Sequence, residues 1–158
     1  MGPFDLKAFL DEPRRMAQIA TVSPHGLPLL GSVWFLFTAG RFWFTSHPST
    51  PLGRAAERGA TVAVLVDQFD PPEAIRQLRI RGTSRIEQHD PHRVHAIFQR
   101  YLGTEPESWP PFFQARQYDT DWALWSVRPD TGVATTNPEF RPTEYRWSRR
   151  QDAPPPLN

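Results

Sequence analysis

A short run of hydroxyl-bearing residues is the first place in this chain where chemistry is concentrated. Thr45 and Ser46 end a β-prone aromatic segment, and Ser49 follows in a polar loop, 47–51. Residues 52–58 then predict one or two turns of helix. The N–H groups at a helix start are free, and the helix dipole there favours negative charge, so neighbouring hydroxyls suit a phosphate. The spacing therefore predicts a phosphate-binding loop.

The same loop has an ordinary structural interpretation. Serine, threonine and proline are common loop residues, and Ser49 or Thr50 is well placed to cap the following helix. Taken by itself, this pattern is more often structural than functional.

Other reactive side chains form no recognisable catalytic pattern. His89, His92 and His95 lie close in sequence with a spacing that can bind a metal, but a solvent-facing pair is the ordinary interpretation and no metal site is predicted. The chain has no cysteine, which excludes thiolate nucleophiles and cysteine-ligated metals. Nucleophile-elbow, P-loop and dinucleotide-binding motifs are absent. The sequence therefore names no catalytic residue.

Composition narrows the class of protein. The 158 residues fit one domain, predicted over 1–148, followed by a Pro-rich tail at 149–158 that is predicted to be disordered. A net charge of +1 gives no broad attraction to nucleic acid or to a membrane. The first residues lack the apolar core of a signal peptide, and no apolar run reaches the ~20 residues that span a bilayer. These features predict a cytoplasmic protein.

Hydrophobic patterning predicts many strands and a few helices. Strands are predicted at 16–22, 27–37, 42–46, 60–66, 75–87 and 122–128, with weaker ones at 133–136 and 144–147. Helices are predicted at 5–12, 52–58 and 91–102, with a helical turn at 112–118. Loops are predicted at 67–74 and 129–132, and Gly82 predicts a bulge or bend. Short-loop connections between strands favour a barrel or sandwich.

Several segments occur in a distinctive order and spacing. They are residues 17–28, 33–35, 40–46, 62–67, 76–82 and 122–129. This arrangement resembles the pyridoxamine-phosphate-oxidase-like family of flavin-binding split β-barrel proteins, and the resemblance covers roughly residues 5–130.

The resemblance carries expectations about fold and function. It implies a mainly β (α+β) fold, a six-stranded split β-barrel with short peripheral helices. It also implies a homodimer that binds FMN between its subunits, or a deazaflavin analogue in a sister group. The activity expected is that of an oxidoreductase acting on a small-molecule substrate, because a flavin ring carries hydride and electron chemistry that the protein only positions.

The resemblance also implies cofactor-binding residues. Those expected to line the ring are Ser32, Val33 and Trp34. Those expected to approach the phosphate are Phe44, Thr45, Ser46, Ser49 and Arg54. Gln77 matches a glutamine that touches the cofactor in the family, and Arg76 precedes it. Arg79, Arg81 and Arg85 could extend a cationic strip from Arg76, although a solvated strand face is the ordinary interpretation for them.

One departure from the family pattern keeps alternatives open. In the family, Arg or Lys follows the loop serine, whereas Thr50 and Pro51 follow Ser49 here. A missing cation removes charge-assisted hydrogen bonds of about 1.5–3 kcal/mol each, which Arg54 or Arg58 would have to supply. The alternatives are a deazaflavin-dependent reductase of the same fold, or a non-catalytic dimer that binds another ligand such as a tetrapyrrole.

Overall fold

The computed structural model describes residues 4–71, 74–137 and 143–149, and most of these residues lie in antiparallel strands. The nine strands of the described residues are β1 (Ala17–Val22), β2 (Pro28–Val33), β3 (Leu36–Thr38), β4 (Arg41–Ser46), β5 (Thr61–Asp70), β6 (Ala74–Ile86), β7 (Ala123–Val127), β8 (Thr131–Thr136) and β9 (Thr143–Ser148). Their order is β2-β1-β5-β6-β7-β4-β3, with β8 also paired to β6 and β9 paired to β8. The predicted mainly β split-barrel fold is confirmed, with an open sheet and more strands than six.

The described residues also form four short helices, at the positions where three helices and a helical turn were predicted. They are α1 (Leu6–Asp11), α2 (Pro51–Glu57), α3 (Pro91–Leu102) and α4 (Pro111–Arg116). A 3-10 turn, Pro106–Ser108, precedes α4. The side chains of Asp5, Thr50 and Asp90 each accept a backbone N–H and cap α1, α2 and α3. The start and end of α3 were predictable because Asp90-Pro91 begins it and Gly103, at φ +96°, follows its last residue.

The long strand predicted at 27–37 is two strands. Between β2 and β3, the backbone N–H of Phe35 donates to the Tyr101 hydroxyl at 3.0 Å, and that hydroxyl donates to the Arg15 carbonyl at 2.6 Å. The Phe35 N–H therefore bonds to a side chain of α3, and that side chain in turn bonds to the segment before β1. The turn that follows joins β3 to β4 through two residues, Ala39 and Gly40, and both have positive φ, as a two-residue hairpin requires.

The loop predicted at 67–74 is wrong for most of its length. The strand β5 continues to Asp70, and β6 already begins at Ala74, so the two form one long hairpin. Asp67 and Asp70 have low strand propensity, but they pair with Gln77 and Ala74 of β6. The ladder outweighs local propensity here. The turn predicted at 129–132 is also too long, because β8 begins at Thr131.

β6 joins the two halves of the sheet. It pairs with β5 along one edge, while its other edge pairs with β8 through residues 76–81 and with β7 through residues 84–86. Gly82 lies where the partner changes, and a Cβ there would come within 2.3 Å of the Arg128 carbonyl oxygen. The register with β5 runs on through Gly82 without an extra residue, so of the two predicted alternatives, a bulge or a bend, the bulge is wrong. The position requires glycine because the backbone of Arg128 passes too close for a side chain.

Two hydrophobic clusters share the strands β4 and β7. The main core lies on one face and includes Phe42, Phe44 and Trp125. The second cluster lies on the other face, where Trp43 and Leu124 pack with α3 residues. Burying a large apolar side chain contributes about 1.5–3 kcal/mol, so both clusters fix the position of β4, which leads into the predicted phosphate loop.

The predicted Pro-rich tail lies outside the described residues except for Arg149. The backbone N–H of Arg149 donates to the Asp130 carbonyl at 2.8 Å.

Candidate functional site

The sheet face that points away from the main core carries a groove. Strand registers place six outward residues in one row across six strands: Ser32, Gln18, Leu65, Arg79, Val133 and Arg146. The adjacent row is Leu30, Ala20, Ala63, Arg81, Thr131 and Ser148. Because Ala20 and Ala63 are small and their neighbours are longer, a depression forms over the alanines.

The groove has a volume of about 610 Å³ and a mixed lining. Its apolar surface comes from residues such as Leu30, Ala63 and Leu65, and its polar side chains include Gln18, Arg79, Arg81 and Arg146. Glu144 lies 2.7 Å from Arg146 and 3.7 Å from Arg79. Arg81 forms no ion pair within the described part of the chain. The groove therefore offers an apolar floor and a net positive charge, which suits a flat, polar-edged or anionic molecule.

Gln18 carries an unsatisfied polar atom in this groove. Its Oε1 is buried, and no described residue donates a hydrogen bond to it. Gln18 also lines a second cleft of about 350 Å³, together with Arg15, Asp67 and Gln68. A buried acceptor without a partner costs about 1–3 kcal/mol, so this amide is a candidate ligand contact. The sequence alone gave no signal for Gln18, because an outward glutamine in a strand is unremarkable.

Polar side chains in the predicted phosphate loop bond to one another. His47 Nδ1 lies 2.6 Å from Ser49 Oγ and accepts the Ser49 backbone N–H at 3.2 Å. Thr50 Oγ1 donates to the His47 carbonyl at 2.8 Å and accepts the Gly53 N–H at 3.0 Å. Arg54 Nη1 donates to the Ser49 carbonyl. The loop is therefore already ordered by its own hydrogen bonds.

The helix that follows the loop packs against the core face of the edge strand β2. Leu52, at the start of α2, contacts Gly31 of β2 so closely that a Cβ on Gly31 would be 2.8 Å from the Leu52 Cδ1. Ser32, the next residue along β2, faces the groove. Arg58, the second arginine expected to supply charge, instead donates to the Val22 carbonyl at 3.0 Å.

Thr45 and Ser46 point to opposite faces of β4. Ser46 is buried on the main-core side, where its Oγ accepts the Trp125 indole N–H at 3.1 Å. Thr45 shares the other face with Trp43, and its buried Oγ1 has no hydrogen-bond partner among the described residues. Of these two hydroxyls, only that of Thr45 has no hydrogen-bond partner among the described residues.

The apolar residues predicted to contact the cofactor are dispersed. Phe44, expected near the phosphate, is fully buried and packs against Trp125, so its side chain belongs to the main core. Val33 packs against the same core. Trp34 lies between Tyr101, at 4.7 Å and 5° between ring planes, and Phe113, at 5.0 Å and 25°. Both faces of its indole are covered, so a ring could stack on Trp34 only by displacing one of them.

Arg76 and Gln77 also point to opposite faces. Gln77 lies outward, in the row next to Arg79, whereas Arg76 points inward and its guanidinium lies 5.7 Å from the Phe4 ring centre. The structure thus brings Ser32 and Gln77 to the groove face, and it places Ser49 in the loop before α2 and Arg54 within that helix.

A buried arginine lies at the end of the second cleft. Arg15 donates to the Asp67 carbonyl at 3.0 Å and pairs with Glu12. Burial lowers the pKa of the Arg15 guanidinium below its ordinary value, and Arg100 and Arg76 lower that pKa further.

Two other kinds of site were sought among the described residues. No group of three or more His, Cys, Asp or Glu side chains there could hold a metal ion. None of the helices in that part of the chain has the length and apolar character needed to span a membrane.

The chain matches one family of known proteins over most of its length. The family model described as pyridoxamine 5'-phosphate oxidase matches residues 5–135. No curated protein gives a significant match.

Solved structures of similar fold differ in what they bind. An F420 reductase is 27% identical with a TM-score of 0.61, and the match covers 82% of this chain and 97% of that one. A pyridoxamine 5'-phosphate oxidase-related, FMN-binding protein from Nostoc punctiforme is 14% identical with a TM-score of 0.61, covering 87% and 82%. The heme storage protein HutZ from Vibrio cholerae is 17% identical with a TM-score of 0.62, covering 78% and 87%.

Proposed function

Because the chain belongs to the pyridoxamine 5'-phosphate oxidase family, we propose that it is an oxidoreductase that holds a flavin-type cofactor in the outward groove. FMN is the first candidate. A deazaflavin of the F420 type is the second, supported by the 27% identity to an F420 reductase. The substrate is a small molecule whose identity the groove does not specify.

The observation that carries this proposal is the groove itself. Its volume of about 610 Å³ lies in the range of small-molecule sites, and its apolar floor with few polar groups matches a flat heteroaromatic ring. The unsatisfied oxygen of Gln18 is a polar atom that such a ring would satisfy. The residues present therefore fit the group.

The loop before α2 would hold the phosphate. Ser49 immediately precedes α2 and Arg54 lies within that helix, which packs against β2, and the Thr45 hydroxyl at the end of β4 has no partner among the described residues. Arg54 is the cation for this role, because its guanidinium already reaches the loop at the Ser49 carbonyl, whereas that of Arg58 is bonded to the Val22 carbonyl of β1. Ser46 would contribute by fixing β4 through Trp125 rather than by contacting the phosphate.

When bound, the cofactor supplies the hydride and electron transfer. The chain's own residues have simpler roles. Ser32 and Gln77 orient the ring from the outward face, and Leu30 and Leu65 exclude water from it. No side chain of the groove is assigned as an acid or base.

A second copy of the chain completes the proposed site. Leu30 is 77% exposed at the groove, and Leu27 and Val22 near it are 63% and 56% exposed. Contiguous exposed apolar side chains of this kind mark interaction surfaces. A homodimer formed over this face would cover the groove and shield the ring.

A tetrapyrrole is the less suitable ligand for this groove. Iron in heme needs an axial ligand such as His, Cys, Met or Tyr, and none of the described residues that line the groove is of these types.

Absorbance spectroscopy tests the proposal. The purified chain is mixed with FMN, F420 or heme in parallel, desalted, and scanned, and its mass is measured by light scattering before and after loading. We expect one flavin-type cofactor to be retained by a dimer. Retention of heme alone, or of none of the three, would refute the proposed function.

A further inference from the structure

Gln18 lies at the junction of the outward groove and the second cleft. Across the sheet it is flanked by Ser32 of β2 and Leu65 of β5, and it lines both cavities. Its Oε1 is buried with no hydrogen-bond partner among the described residues. The oxygen therefore has an unused capacity to accept a hydrogen bond, and it belongs to a residue that lines both cavities.

Gln68 of the second cleft also has a buried Oε1 without a partner among the described residues, but it does not line the outward groove, as Gln18 does. Leu65 has no polar side-chain atom, and the Arg15 guanidinium, which can only donate, is already bonded to the Asp67 carbonyl and Glu12. A glutamine amide offers an acceptor and a donor side by side. Its complement is a planar group in which an N–H is adjacent to a carbonyl.

Resting on the proposed function, we propose that the Gln18 amide recognises the imide edge of the cofactor's pyrimidine ring. Oε1 accepts the ring N3–H, and Nε2 donates to an adjacent ring carbonyl. FMN and F420 share this edge, so the assignment holds for either cofactor. Gln18 is thereby a binding residue that selects for an unsubstituted imide.

A ligand with a blocked imide tests this contact on the unchanged chain. Wild-type protein is titrated with FMN and with 3-methyl-FMN, which lacks the N3–H, and affinity is read from flavin fluorescence. We expect 3-methyl-FMN to bind at least tenfold more weakly, since a hydrogen bond is lost and the Gln18 oxygen stays buried without a partner. Equal affinities for the two ligands would overturn the inference.

A substitution supplies the reciprocal measurement. Gln18→Met keeps the side-chain length and removes both polar groups; it should weaken FMN about tenfold and largely abolish the preference over 3-methyl-FMN. Gln88→Met is the matched control, because Gln88 lines a different cavity beside Trp43 and Arg93. An unchanged preference in folded Gln18→Met would also overturn the inference.

The two proposals fail differently. If wild-type protein binds FMN or F420 but does not distinguish an N3-methylated flavin, the flavin function stands and the role of Gln18 is wrong. If wild-type protein binds no flavin-type cofactor, both proposals are wrong. The wild-type titration does not depend on how Gln18→Met folds.

Discussion

The two regions predicted to hold a cofactor differ in how their polar side chains are occupied. In the loop, Ser49, Thr50 and Arg54 all bond to other groups of the loop. In the groove, the Gln18 oxygen has no partner among the described residues, and Arg81 forms no ion pair with any of them. One region is ordered without a ligand, whereas the other has unused hydrogen-bonding and charge capacity.

This difference bears on where binding energy would come from. A ligand that bonds to the loop must replace internal hydrogen bonds, and such an exchange yields little net free energy. A ligand in the groove instead satisfies a buried acceptor and covers apolar surface. We therefore expect the groove to contribute most of the affinity, although the family pattern directs attention to the loop.

Filling the groove should have the largest effect. Ala63 lies at its centre, between Ala20 and Arg81, and its side chain is exposed. Ala63→Trp should lower FMN affinity more than 100-fold, because the indole takes the place of the ring. Stability should change little, as at other exposed positions. The measurement is a fluorescence titration with a thermal melt.

Thr61→Trp is the matched control for this substitution. Thr61 is also exposed and lies on the same face of β5, two residues away, but it does not line the groove. It should bind FMN normally. If Ala63→Trp bound FMN as tightly as the control, the groove would not be the cofactor site.

Much of the fold could be predicted from local signals. Asp90, Pro91 and Gly103 define α3 by capping chemistry, and the turn at Ala39 and Gly40 follows from hairpin geometry. The errors share a different origin. The break at Phe35 depends on Tyr101, 66 residues away, and the strand at Asp67 depends on pairing with β6. Such contacts have no signature in the local sequence.

The candidate site was harder to predict than the fold. The sequence pattern and the family resemblance indicated both the loop and Gln77, and in the structure Gln77 lies on the outward face of the sheet while the loop precedes a helix packed against the core face of β2. The sequence could not show that Trp34 is covered on both faces, or that the Gln18 oxygen lacks a partner among the described residues, because both facts depend on residues distant in sequence.

Removing the loop cation should have an intermediate effect that depends on the phosphate. Arg54→Gln should weaken FMN about tenfold, the value of one charge-assisted hydrogen bond, and should leave riboflavin, which has no phosphate, unchanged. Parallel titrations of the two ligands measure this difference. Arg58→Gln is the control; it loses the bond to the Val22 carbonyl and should not alter the ratio of the two affinities. A similar loss for riboflavin would contradict a phosphate role for Arg54.

Removing the Ser49 hydroxyl should have the smallest effect. A backbone N–H can only donate, so the Ser49 N–H at 3.2 Å requires that His47 Nδ1 carry a lone pair, and the Ser49 hydroxyl at 2.6 Å then donates to the same nitrogen. The Ser49 hydroxyl therefore already donates to His47, and it could donate to a phosphate only if that hydrogen bond were broken. Ser49→Ala should therefore weaken FMN by no more than about threefold. A loss beyond tenfold in the same titration would mean that the loop, rather than the groove, dominates binding.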